Sequence, residues 1–296
     1  MDPDWFLSPR NFLGLPEGLA AFDAAQVLVL PVPYDATTSY RAGTREGPQA
    51  IIDASQQVEW FDHELKRETA EVGIHTLPEV APVMSGPADM VERLYQVARR
   101  QVDTDKLLVT LGGEHSLSSA VVRAFSERYP GLTVLQFDAH ADLRDSYEET
   151  PYSHASVARR IVEMCPLTQV GIRSLSKEEW AFLQTRPPIT TFFIESHPLS
   201  ESDLERLVGS LGSEVYVTLD IDALDPGLVP GVGTPEPGGL TWQETLRILR
   251  RVAEARRVVG FDLMEYCPPE GNTAAAFTAA KLAYKAMGYF THPWKE

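Results

Sequence analysis

The chain is poor in cysteine: Cys165 and Cys267 are the two in 296 residues, and no CxxC pair occurs. No disulfide framework or thiolate zinc site is therefore expected, and two reduced thiols in a cytoplasmic protein are. No segment approaches the roughly 18 consecutive apolar residues of a membrane span. The opening MDPDWFLSPRNF lacks an apolar run and carries two acids among its first four residues, unlike a secretory signal. Basic side chains are also short: 26 Lys and Arg face 42 Asp and Glu, for a formal charge of −16. That balance argues against nucleic acid or an anionic membrane as a partner and suits a cationic one. No repeat, low-complexity tract or linker interrupts the chain. The Gly- and Pro-rich stretch 231–240 reads as an ordered loop, and residues 1–296 read as one domain.

What is present is a series of short apolar runs at 26–33, 71–77, 106–113, 132–140, 168–173, 189–196, 214–224 and 257–266. They are too short for helices and rich in Val, Ile, Leu and Phe. Helical patterns are expected between them at 48–65, 116–129, 200–211, 241–255 and 272–287. Thr241 followed by Glu244 fits a capping box, and Ser200 with Asp203 is a poorer version of it. Strands alternating with helices imply an α/β fold with a mainly parallel sheet covered on both faces.

In such sheets functional groups gather beyond the carboxyl ends of the strands. Three runs end in ligand-type residues: His115 after LLVTLGGE, Asp138, His140 and Asp142 in FDAHAD, and Asp220 and Asp222 in TLDID. On an extended strand, residues i and i+2 face one side with α-carbons roughly 6.5–7 Å apart. Such pairs can grip two cations about 3.5–4 Å apart. Four aspartates brought together without cations would repel one another, whereas two divalent ions cancel their charge. The oxygen-rich, thiol-free set suits Mn²⁺ better than a structural zinc site, with Fe²⁺, Co²⁺ and Zn²⁺ chemically open. Taken singly, an Asp-x-Asp at a strand end is more often a turn or cap than a ligand pair. Asp225, before Pro226, reads as a turn residue.

GGEHS (112–116), FDAHADLRD (137–145), SHAS (153–156), TLDIDALDP (218–226) and GFDLMEYCPP (260–269), in that order, resemble the ureohydrolases, the family of arginase and agmatinase. The resemblance runs from PVPYDATTSYRAGTREGPQAI (31–51) to the last helix. It implies an arginase-like three-layer α/β/α sandwich with an eight-stranded, mainly parallel sheet. It also implies two Mn²⁺ per subunit, one on His115, Asp138, Asp142 and Asp220, the other on Asp138, His140, Asp220 and Asp222. A hydroxide between the ions would attack a guanidinium carbon. By the same resemblance Glu265 would hold the guanidinium and His154 would carry a proton to the leaving amine. Asp262, on the strand of Glu265, is expected either to support a ligand or to make ordinary contacts. A homo-oligomer, trimer or hexamer, is implied too.

The family's substrates differ at the end distant from the guanidinium. The region DSYEETPYSHAS (145–156) departs from the arginase pattern, and its Asp145, Glu148 and Glu149 suit a distal ammonium if they face it. Agmatine, cleaved to putrescine and urea, is the expected substrate. Guanidinobutyrate or arginine is the alternative, and would need a base such as Arg41, Arg45 or Arg159 for its carboxylate. A non-catalytic polyamine-binding protein is the remote one. His63, His75, His197 and His292 read as ordinary surface or core residues, Trp180 and Trp242 as packing residues, and Cys267 as pocket wall without chemistry.

Overall fold

The computed structural model describes residues 9–194 and 199–294, so His197 lies outside the described residues. Eight strands form the central sheet: β1 (Val27–Val32), β2 (Ile74–Thr76), β3 (Leu107–Gly112), β4 (Thr133–Phe137), β5 (Leu167–Ile172), β6 (Ile189–Phe193), β7 (Glu214–Asp220) and β8 (Arg257–Met264). Their order across the sheet is β2-β1-β3-β8-β7-β4-β5-β6, and every pairing is parallel. The apolar runs had to be continuous rather than alternating because both faces are covered. In β1, Val27 and Val29 enter one core layer while Leu28, Leu30 and Val32 enter the other. The first layer packs under helices Gly47–Ser55, Glu201–Gly209, Trp242–Ala255 and Ala274–Phe290. The second packs under Pro87–Val102, Ser118–Arg128 and Val157–Val162. The result is the expected three-layer α/β/α sandwich.

Two expectations fail locally. The helix foreseen over 48–65 stops at Ser55. Phe61–Asp62 and Arg67–Glu68 instead form a small antiparallel hairpin, with His63 exposed in its turn. The hairpin is tied to the C-terminal helix, where Lys285 Nζ lies 2.8 Å from Asp62 Oδ2 and 2.6 Å from Glu64 Oε2. Conversely, Pro87–Val102 is a sixteen-residue helix that was not foreseen. The capping boxes at Ser200 and Thr241 are both complete, with each N-cap hydroxyl and its acidic partner bonded reciprocally.

The hairpin contact yields a pH prediction. Burial alone would raise the pKa of Glu64, but hydrogen bonds from Lys285, Tyr289 and Arg250 outweigh it and hold the value down to about 2. A carboxylate whose folded pKa lies below its unfolded one, about 4.3, stabilises the fold above that pH. Glu64→Gln should therefore lower the urea midpoint at pH 7. The gap from the parent chain should close as pH falls from about 4.3 toward 2. A gap that widens on acidification would refute the assignment.

Candidate metal and catalytic site

The four adjacent strands β3, β8, β7 and β4 all deliver polar side chains beyond their carboxyl ends. After β3 the chain turns through Gly112 and Gly113. A side chain at Gly113 would collide with the carbonyl of Tyr34. Glycine instead lets the 34–45 loop lie across the turn, with Gly113 N donating to Val32 O and Glu114 N to Tyr34 O. The turn delivers His115 into a fully buried position.

Its Nδ1 faces three carboxylate oxygens: Asp138 Oδ2 at 3.1 Å, Asp220 Oδ2 at 3.3 Å and Asp142 Oδ2 at 3.4 Å. It is aligned with none of them as a hydrogen bond. Its other nitrogen, Nε2, lies 2.9 Å from Thr218 Oγ1. Thr218 gives its own proton to Asp262 Oδ1 at 2.7 Å, so it must accept from Nε2–H. The lone pair of Nδ1 is thereby turned toward the three oxygens. Asp262 is fully buried and also accepts from Tyr216 OH at 2.8 Å. It supports a ligand-type histidine and makes no surface contact.

The strands end earlier than the i, i+2 argument assumed. β4 stops at Phe137, Asp142 lies at φ 51°, and β7 stops at Asp220, before a one-turn helix over Ile221–Ala223. Tight turns, not a pleat, bring the side chains together. Asp138 Oδ1 accepts from His140 N at 2.6 Å, and Asp220 Oδ1 accepts from Asp222 N at 2.8 Å. Asp222 Oδ1 takes Ala139 N at 2.9 Å and so joins the two turns. Asp222 Oδ2 is then 2.9 Å from His140 Nδ1. All six residues singled out by spacing converge. Two groups, His115–Asp138–Asp220 and Asp138–His140–Asp222, each bring ligand atoms within 4.8 Å of one another and share Asp138.

Burying so many acids disfavours their ionised forms. Burial, then Asp138, raises Asp142 to about 7. Burial, then Asp222 and Asp138, raises Asp220 well above its usual range. Burial would lower the pKa of His140, but Asp222 and Asp138 push it up to about 12. The cluster thus demands positive charge.

Glu265 follows β8 at φ 62°, a left-handed conformation costly for a non-glycine residue. Its N–H donates to Gly113 O at 2.9 Å, and its Oε1 accepts from His115 N at 2.6 Å. A β-carbon on Gly233 would lie 3.8 Å from Oε2, so that oxygen faces the glycine-rich 231–240 loop. His154 opens a one-turn helix and packs edge-on to Tyr147, with ring centroids 6.0 Å apart. Burial, with the fields of His140 and His115, lowers its pKa to about 4.

Other expected residues stand apart from the cluster. His75 Nδ1 lies 2.7 Å from Ala20 O, and His292 packs on Trp294. Trp180 is half exposed against Phe193, and Trp242 is partly buried against the core. Asp225 Oδ1 caps a turn through Gly227 N at 2.7 Å. Buried Cys267 touches the 42–43 backbone. Asp145 pairs with Arg160 at 3.0 Å and lies 3.8 Å from Arg159. It is therefore engaged by arginines rather than held ready for an ammonium.

Arg173 was missed. Its guanidinium reaches the carbonyls of Gly171, Asp222, Ala223, Leu224, Glu236 and Pro237 at 2.9–3.5 Å. It pins the turn of Asp222 to the 231–240 loop, and Glu236 Oε1 comes within 3.9 Å of His140 Nε2. The hint was an arginine directly after the apolar run TQVGI, where a cation meets carbonyl ends.

A model described as the arginase family matches residues 25–288. The chain belongs to the arginase family. It is 39% identical to the N(1)-aminopropylagmatine ureohydrolase of Synechocystis sp., covering 97% of this chain and 96% of that protein. It is 35% identical to an agmatinase of Bacillus cereus, covering 90% and 92%. Among solved structures, the agmatine ureohydrolase of Thermoplasma volcanium superposes with a TM-score of 0.85 at 27% identity, covering 97% of this chain and 96% of that one. Membership of the arginase family agrees with the three-layer fold around an eight-stranded parallel sheet.

The Asp262–Thr218–His115 line makes a prediction. Thr218→Val keeps the side-chain shape but removes the acceptor for His115 Nε2–H. The affinity for the divalent ion beside His115 should fall by about 10–100-fold, read by competition titration with a chelating dye. An unchanged affinity would show that Thr218 only packs.

Proposed function

We propose that the protein hydrolyses the guanidinium group of an agmatine-class amine to urea, with N(1)-aminopropylagmatine preferred and agmatine second. The observation that carries this reading is His115 Nδ1, buried, without a hydrogen bond, and aimed among three carboxylate oxygens. A divalent cation fits a buried imidazole nitrogen set among three carboxylate oxygens. His115, Asp138, Asp142 and Asp220 would hold one ion, and Asp138, His140, Asp220 and Asp222 the second. Manganese is the first choice for this oxygen-rich set. The ions supply a water acidic enough to ionise near neutral pH.

The chain's own groups do the rest. Glu265 Oε1 is fixed by His115 N, which leaves Oε2 free to accept from the guanidinium, a contact that would orient it in the pocket. A neutral amine leaves far more readily than its anion, so the departing nitrogen must gain a proton. His154 would pass it, its ring neutral at rest because burial lowers its pKa to about 4.

The preference for an amine over an acid at the far end rests on three supports. Of the three bases that could hold a carboxylate, Arg45 is paired with Asp35 and Arg159 stacks on Phe182, which leaves the exposed Arg41 as the one base available for an acid. Glu236 and the exposed turn residues Glu148 and Glu149 leave negative charge in the surrounding loops. Both curated relatives are named for amine substrates, and the higher identity, 39% against 35%, to the aminopropylagmatine ureohydrolase favours the longer amine. The products would be spermidine from the aminopropyl substrate and putrescine from agmatine. Among the described residues no helix is long and apolar enough to cross a membrane. A cytoplasmic, trimeric or hexameric enzyme completes the proposal.

Urea release should be measured with manganese and N(1)-aminopropylagmatine, agmatine, arginine and guanidinobutyrate side by side. The first two should turn over, the first with the higher kcat/KM. Fastest turnover of guanidinobutyrate would overturn the amine assignment, and no urea from any of the four would leave the binding protein standing. Glu265→Gln should lower kcat/KM by roughly 100-fold at unchanged metal content. Loss of both ions in that variant would instead make Glu265 a ligand.

A further inference from the structure

His154 does not stand alone in its pocket. Its backbone N–H donates to Thr37 Oγ1 at 3.0 Å, and its Nδ1 lies 3.4 Å from the same oxygen. Thr37 belongs to the 34–45 loop and is buried. Its hydroxyl donates to Glu114 Oε1 at 2.8 Å, and its N–H donates to Glu114 Oε2 at 2.6 Å. Glu114 is fully buried and takes a third bond from Ser116 Oγ at 2.5 Å. Three donors therefore converge on its two oxygens, and the Thr37 hydroxyl is one of them. Once the Thr37 proton is committed to Glu114, Thr37 Oγ1 can only accept from the imidazole.

The order carboxylate, threonine, histidine occurs a second time in this pocket. Asp262–Thr218–His115 turns a lone pair toward the carboxylate cluster from one side. Glu114–Thr37–His154 repeats the logic with the ring reversed, so that Nδ1 carries the proton and Nε2 is left free. Nε2 is the more open nitrogen, 3.4 Å from the exposed hydroxyl of Ser39. Two neighbouring hydroxyls can oppose this, Ser153 Oγ, 3.3 Å from Nδ1, by donating to that nitrogen, and Ser39 Oγ by accepting from Nε2–H.

We infer that Thr37, oriented by Glu114, is a positioning residue that sets the tautomer and place of the His154 ring. The kinetic part of this inference rests on the proposed role of His154, and the tautomer part does not. A bare hydrophobic contact would place the ring but could not choose which nitrogen is protonated.

The test uses Thr37→Val, Thr37→Ser, His154→Asn and the double variant Thr37→Val with His154→Asn, each checked for metal content and melting temperature. In the zinc-loaded, ¹⁵N-histidine-labelled protein, the His154 resonances, assigned by their loss in His154→Asn, should report a proton on Nδ1. Thr37→Val should shift that population toward Nε2–H, and Thr37→Ser should restore it. A His154 tautomer indifferent to Thr37→Val would overturn the inference. In the manganese enzyme, Thr37→Val should lower kcat by about tenfold or more with KM little changed. It should have no further effect in the His154→Asn background. An equal loss in that background would show that Thr37 acts by another route, also overturning the inference. Should His154→Asn itself leave kcat unaltered, the proton-carrier role of His154 fails, and the resonance result alone decides the part played by Thr37.

Discussion

Four aspartate carboxyl groups are gathered beside two imidazoles in a buried cluster, where like charges repel and little water is present to screen them. That repulsion constrains everything near the cluster. Asp138 and Asp220 each spend one oxygen on the backbone N–H two residues ahead, and Asp222 spends one on Ala139. Of the remaining oxygens, Asp138 Oδ2 and Asp220 Oδ2 face His115 Nδ1 and Asp222 Oδ2 faces His140 Nδ1, with Asp138 Oδ2 also accepting from Gln136 Nε2 at 2.7 Å. The backbone accepts left-handed strain at Asp142 and Glu265, both at the rim of the cluster. A fold selected for stability alone would have replaced this arrangement with apolar packing.

Supporting groups aim the cluster. Asp262 lies on β8 and Thr218 on β7, one strand apart in the sheet, and together they orient a histidine that follows β3. Arg173 works from the other side, gathering six carbonyls so that the Asp222 turn and the 231–240 loop move as one piece. Rigid strands thus place the turns, and buried polar bonds place the atoms.

The architecture was readable because parallel strands buried on both faces leave continuous apolar runs, and the ligand-type residues because their spacing is tight and local. The geometry between those residues was not readable, because it is made by turns and not by the pleat first assumed. Helix Pro87–Val102 was legible and missed: Met90, Val91, Leu94, Tyr95 and Ala98 recur at helical spacing behind Pro87, with Glu92, Arg93, Arg99 and Arg100 on the opposite, exposed face. The helix begun at Gly47 was drawn too long because Val58 and Phe61 extend an apolar pattern that the Lys285–Asp62 contact claims for a hairpin. Thr37 and Glu114 lie 77 positions apart, and Thr37 and His154 lie 117 apart. No local pattern can announce contacts of that range.

The most direct measurement is an anomalous-difference map from a crystal grown in manganese. Two peaks should appear, about 3.5 Å apart, with Asp138 and Asp220 reaching both, His115 reaching one and His140 the other. A single peak, or none beside His115 Nδ1, would contradict the paired-cation site on which the account rests.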